Sequence, residues 1–106
     1  MRVLLVDDHT ILRRAFCLML GNEPDFEIVG EASNGWEAVN LTQALRSDIV
    51  LMDIAMPVMN GIEATRAIHA VHPDVCVIGL SMFAHDEQAE AMRAAGAVEF
   101  VTVNAH

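Results

Sequence analysis

Residues 3–10 read Val-Leu-Leu-Val-Asp-Asp-His-Thr, an apolar run that stops abruptly on two adjacent acids, Asp7 and Asp8. A short apolar run bounded by polar residues has the length of one buried strand. Runs of the same kind recur at Ile28 to Ala32, Ile49 to Met52, Val75 to Leu80 and Val98 to Val101, roughly every 25 residues. Between them apolar residues return at helical spacing: Ile11, Leu12, Ala15, Phe16, Leu18 and Met19; Trp36, Ala38, Val39, Leu41 and Leu45; Ile62, Ala64, Thr65 and Ile68; Ala89, Met92 and Ala95. Strand and helix therefore alternate, which implies an α/β fold with a parallel sheet covered by helices on both faces.

The connectors fit this reading. Gly21 to Asp25 ends the first helix, Ser33-Asn34-Gly35 opens the second, His72-Pro73-Asp74 ends the third and Ala95-Gly96-Ala97 ends the fourth. Residues 102–106 carry no helical pattern, so the final helix of a doubly wound sheet is expected to be missing. The apolar face of the first helix and of strands four and five should then be partly bare. A homodimer, a swapped segment or docking by a further region is expected there.

With 106 residues, 54% of them hydrophobic, the chain has the size of one domain, spanning 1–106. Its formal net charge is -9, it contains no Lys, and its basic residues apart from His are six Arg. That balance speaks against direct binding to nucleic acid or to an anionic membrane. Cys17 and Cys76 lie far apart in apolar surroundings and read as buried free thiols. The apolar start is cut by Asp7 and Asp8 too early for a signal peptide, and no run approaches the ~18 apolar residues of a membrane span. A cytoplasmic location is the expectation.

In an open parallel sheet, ligands bind outside the carboxyl ends of the strands, near the switch in strand order. Asp7 and Asp8 follow the first strand, and Asp53 ends the third. If those strands are neighbours, three carboxylates meet at one spot, where each would raise the others' pKa. A hard divalent cation resolves the conflict, and Mg2+ suits a shallow oxygen site that keeps several waters. Other α/β sites fit less well: neither GxxxxGK[ST] nor GxGxxG follows the first strand. A bare phosphate cradle would be repelled by Asp7 and Asp8, and an aspartyl phosphatase of the haloacid dehalogenase type would want an acid where Ala55 stands.

Four stretches, VDDH, DIVLMDIAMPVMNGIEATRAI, VIGLSMFA and AGAVEFVT, together resemble the response-regulator receiver domain of two-component signalling, over essentially the whole chain. The wording around PDFEIVGEASNGWEAV is similar to receivers of the NarL/FixJ type and to receivers attached to hybrid sensor kinases. The resemblance implies a flavodoxin-like, doubly wound, five-stranded parallel sheet in the order 2-1-3-4-5. It implies that Asp53 accepts a phosphoryl group from a histidine kinase, with Asp8, Asp53 and the carbonyl of Ala55 holding Mg2+ and Asp7 acting through metal-bound water. Ser81 would hydrogen-bond the phosphoryl group, and Phe100 would be the aromatic switch. The partner on the output side would be a helix-turn-helix domain or a parent hybrid kinase.

The family places a Lys three residues after the aromatic switch, whereas this chain has Val103. A hydrogen bond to a charged group is typically worth ~1.5 to 3 kcal/mol, so its loss would weaken the coupling of phosphorylation to the switch. A degenerate receiver acting as a protein-interaction module is therefore the alternative function. The remaining candidates have plainer readings. His9 reads as a helix-start residue, His69, His72 and His85 as surface residues, the methionines as packing, and Trp36 as a side chain packed on the second helix.

Overall fold

The computed structural model describes residues 1–54, 56, 59–81 and 86–102. The expected alternation is present: β1 (Arg2–Val6), α1 (Thr10–Gly21), β2 (Glu27–Ala32), α2 (Gly35–Leu45), β3 (Ile49–Asp53), α3 (Gly61–Val71), β4 (Cys76–Ser81), α4 (Asp86–Ala95) and β5 (Glu99–Thr102). The sheet is parallel throughout, in the order β2-β1-β3-β4-β5. The flavodoxin-like expectation is met, and β5 is the last element among the described residues.

Handedness distributes the helices. The crossover from β1 to β2 moves one way along the sheet, while those from β2 to β3, β3 to β4 and β4 to β5 move the other way. Right-handed crossovers therefore place α1 on one face and α2, α3 and α4 on the other. The pleat sends Leu4, Val6, Val50 and Met52 into the core beneath α2 to α4, together with Ala38, Ala64, Ile68, Val77 and Met92. Val3 and Leu5, at alternate positions, are buried toward α1.

One helix cannot cover five strands. Among the described residues Ile78 and Leu51 are only half-buried and Val101 is exposed. On α1 the stripe Ile11, Ala15 and Leu18 faces solvent, Leu18 with 75% of its surface exposed. The expectation of a partly bare face is thus met. Cys76, read from sequence as buried, is exposed at the rim of β4 on this thinly covered face, while Cys17 is half-buried.

Trp36 also departs from its reading and is 61% exposed. Its helix buries Gly35, Ala38 and Thr42, spaced three and four apart, and the neighbouring position turns about 100° away from that stripe. Both α2 and α3 start with Asn caps: Asn34 and Asn60 accept from the backbone N–H of Glu37 and Glu63, each at 2.9 Å. Among the described residues no helix is long and apolar enough to cross a membrane.

Candidate functional site

Register brings the acids together. Val6 pairs with Met52 across β1 and β3, so the next residues, Asp7 and Asp53, stand level at the carboxyl edge. Asp53 in turn pairs with Leu80 of β4, which places Ser81 one residue beyond that level. This edge is the switch in strand order, because β1 connects toward β2 and β3 toward β4.

One ligand atom from each of Asp7, Asp8, His9 and Asp53 lies within 4.8 Å of the others. The Asp7 side chain is 2% exposed, that of Asp53 13% and that of Asp8 31%, so the pocket has a buried floor and an open mouth. Asp7 is held from several sides. Its backbone N–H donates to Ala32 O at 3.0 Å, its Oδ1 accepts from the His9 N–H at 2.7 Å, and its carbonyl accepts from Arg13 Nη1 at 2.6 Å. Arg13 is itself oriented by Glu31, Nε to Oε1 at 2.8 Å. The guanidinium therefore ties the Asp7 backbone to the Glu31 carboxylate.

His9 was read as a helix-start residue, and by position it is the N-cap of α1, with extended φ and ψ. Its side chain makes no cap hydrogen bond. Instead Nδ1 lies 3.0 Å from Asp7 Oδ1, 3.1 Å from Asp8 Oδ1 and 4.0 Å from Asp53 Oδ2. The hydrogen bond to Asp7, and then the charge of Asp8, hold the imidazole pKa above its ordinary value. Adjacency to the acids was the one signal in the sequence; the direction of the ring was not legible there.

The approach to Asp53 depends on Gly61. A Cβ at Gly61 would clash with Asp53 O and lie 2.8 Å from Ile54 Cα, so only Gly lets α3 start this close to the end of β3. Its N–H donates to Ile54 O at 2.9 Å, which closes the loop behind the carboxylate. Gly35 does the same for α2, with its N–H donating to Met59 O at 2.9 Å. Of the other candidates, Phe100 lies on β5 and pairs with Gly79, while Ala55, His85 and Val103 lie outside the described residues. His69 is exposed and His72 half-buried, away from the acids.

The family model of the response regulator receiver domain matches residues 3–104. The transcriptional regulatory protein LiaR of Bacillus subtilis (strain 168) is 41% identical over 100 residues, which cover 94% of this chain and 47% of LiaR. The chain thus spans about half the length of that relative. A LuxR-family two-component response regulator from Aurantimonas sp. SI85-9A1 superposes with a TM-score of 0.91 at 35% identity, covering 95% of this chain and 72% of that one. CheY of Borrelia burgdorferi, solved in a CheX-CheY-BeF3-Mg2+ complex, superposes with a TM-score of 0.92 at 28% identity, covering 99% of this chain and 79% of that one. With the sheet order, the level acids and the match over nearly its full length in agreement, this chain belongs to the response regulator receiver domain family.

Proposed function

We propose that the whole chain, 1–106, is one phosphorelay receiver in which Asp53 accepts a phosphoryl group from the phosphohistidine of a histidine kinase. The observation that carries this reading is the level placement of Asp7 and Asp53 on adjacent strand ends, with Asp8 within reach of both. Three carboxylates in one pocket are a donor set that fits a hard divalent cation, and Asp7, Asp8 and Asp53 would hold Mg2+ with the carbonyl of Ala55. When bound, Mg2+ would neutralise charge on the equatorial phosphoryl oxygens.

The chain's own groups do the rest. An Asp53 oxygen forms the new bond to phosphorus in line as the P–N bond of the donor breaks, and the electron pair leaves on the donor imidazole. The partial burial of Asp53 limits water around the acceptor, and Gly61 with the Ile54 carbonyl fixes the backbone behind it. Asp7, anchored by Arg13, keeps its position as charge redistributes. Ser81 and Phe100 keep the roles that the resemblance implies, phosphoryl hydrogen bonding and switching. The likeness to the Borrelia CheY complex supports a phosphoryl mimic and Mg2+ as ligands of this pocket too. LiaR, a transcriptional regulatory protein of which this chain spans about half, supports an output partner that acts in transcription, for which a helix-turn-helix domain is our reading, as a cytoplasmic location is for the receiver.

The test is incubation with a small phosphoryl donor and Mg2+, followed by mass spectrometry. The parent should gain one phosphoryl group and Asp53→Asn none. No gain in the parent would reject the switch in favour of an interaction module, the alternative that Val103 raises.

A further inference from the structure

We propose that His9 is itself a ligand of the acidic pocket, through Nδ1, and makes it a mixed oxygen and nitrogen site selective for a first-row transition cation over Mg2+. This rests on the reading of the pocket as a cation site. Two donors at right angles on a cation with bonds of about 2.1 Å lie about 3.0 Å apart, and donors on opposite sides lie about 4.2 Å apart. The ring nitrogen stands 3.0 Å from Asp7 Oδ1, 3.1 Å from Asp8 Oδ1 and 4.0 Å from Asp53 Oδ2. The first two separations are octahedral edges, and the third approaches a diagonal. In the metal-free pocket the 3.0 Å contact to Asp7 is a hydrogen bond, so an ion takes the place of the shared proton, and the four donor atoms, spread over up to 4.8 Å, draw in to meet it.

The described starts of α2 and α3 strengthen the assignment. At α2 and α3 an Asn occupies the N-cap and bonds the backbone of the first turn. At α1 the same position carries a His that leaves the backbone uncapped and turns toward the acids. The ring is 62% exposed on its outer side, so it can adjust to an ion at the mouth of the pocket without disturbing the core.

Chemistry decides which ion gains. Mg2+ prefers oxygen and water and draws little from imidazole, whereas Co2+, Ni2+ and Zn2+ accept it readily. Any oxygen site also favours these ions to some degree, so the diagnostic quantity is the change in selectivity when His9 is removed. In the parent, titration with Co2+ should give a visible d–d spectrum, and the Co2+ form should show paramagnetically shifted imidazole protons. In His9→Ala those resonances should vanish and Co2+ affinity should fall at least about tenfold, a loss already typical when a group that only orients a ligand is removed. Mg2+ affinity, read by calorimetry, should stay within about twofold. Equal Co2+ affinity in parent and variant would overturn the assignment, and so would a parallel loss of Co2+ and Mg2+, which would mark His9 as a positioning residue. Asp53→Asn should weaken both ions. A parent that binds neither would reject the cation site itself, an outcome distinct from failure at His9 alone.

Discussion

Gly61→Ala tests whether the close start of α3 holds the acceptor in place. The new methyl carbon would lie 2.8 Å from Ile54 Cα and 2.9 Å from the carbonyl carbon of Asp53, with Asp53 O closer still. All three are backbone atoms, so no side chain can swing aside. Either α3 slides outward or the end of β3 turns, and both loosen the hydrogen bond from Gly61 N–H to Ile54 O. Overpacking of this kind costs about 1 to 3 kcal/mol, and the weakened bond about 0.5 to 1.5 kcal/mol. Replacing Gly by Ala in a helix returns up to about 1 kcal/mol. The net loss should be about 0.5 to 3.5 kcal/mol, and each kcal/mol lowers the melting temperature of a domain this size by about 4 to 8 °C. Because the displaced backbone carries Asp53, divalent-cation affinity should fall as well. Gly21→Ala is the control: it lies at the end of α1 with nothing within 4 Å of a new Cβ. It should be neutral or stabilising by about 0.4 to 1 kcal/mol, with cation affinity unchanged. Urea melts and cation titrations of the two variants decide the matter. A Gly61→Ala protein as stable as Gly21→Ala, binding cations like the parent, would refute the argument.

Leu5→Ala, at a fully buried position of β1, should cost about 2 to 5 kcal/mol in urea denaturation, whereas Leu18→Ala on the bare stripe of α1 should stay within about 0.5 kcal/mol. Similar losses at both sites would mean that α1 is covered. Asn60→Ala should remove about 0.5 to 2 kcal/mol by uncapping α3, read as a lowered denaturation midpoint, with Asn60→Gly recovering most of it. Alkylation at about pH 8, followed by peptide mass mapping, should modify the exposed Cys76 before Cys17, whose thiol is pushed up in pKa by burial and then by Glu31. Because the folded-state pKa of Cys17 is raised, its effect on stability is absent below the unfolded thiol value and turns destabilising as pH climbs through it. A Cys17→Ala variant should therefore lose less stability than the parent between about pH 8 and 10. Faster labelling at Cys17 would contradict the burial seen here.

The strands, the four helices and the candidate acids were all legible along the chain, because burial imposes a period that a sequence carries locally. Val3 to Val6 are apolar because they are covered on both faces, Ile49 to Met52 because one face is buried and the other half-buried, and the acids stand out at the ends of these runs. Local pattern also marked Ser33-Asn34-Gly35 as a helix start, since a cap needs only its own first turn. What it could not carry was any relation between residues distant in the chain. The register of Val6 against Met52 turns two acidic positions into one pocket, and it is set by strand pairing across more than forty residues. The need for Gly at position 61 comes from the close start of α3 against the Asp53 backbone, a tertiary relation. Trp36 reads as packed on the second helix and Cys76, from its apolar neighbours, as buried, yet one lies off the buried stripe of α2 and the other on a face that a single helix covers. His9 is the sharpest case, since the same residue can cap a helix or face a metal pocket. Its neighbours in sequence allow both, and only the folded position of Asp7, Asp8 and Asp53 decides where the ring's hydrogen bond and charge are best satisfied.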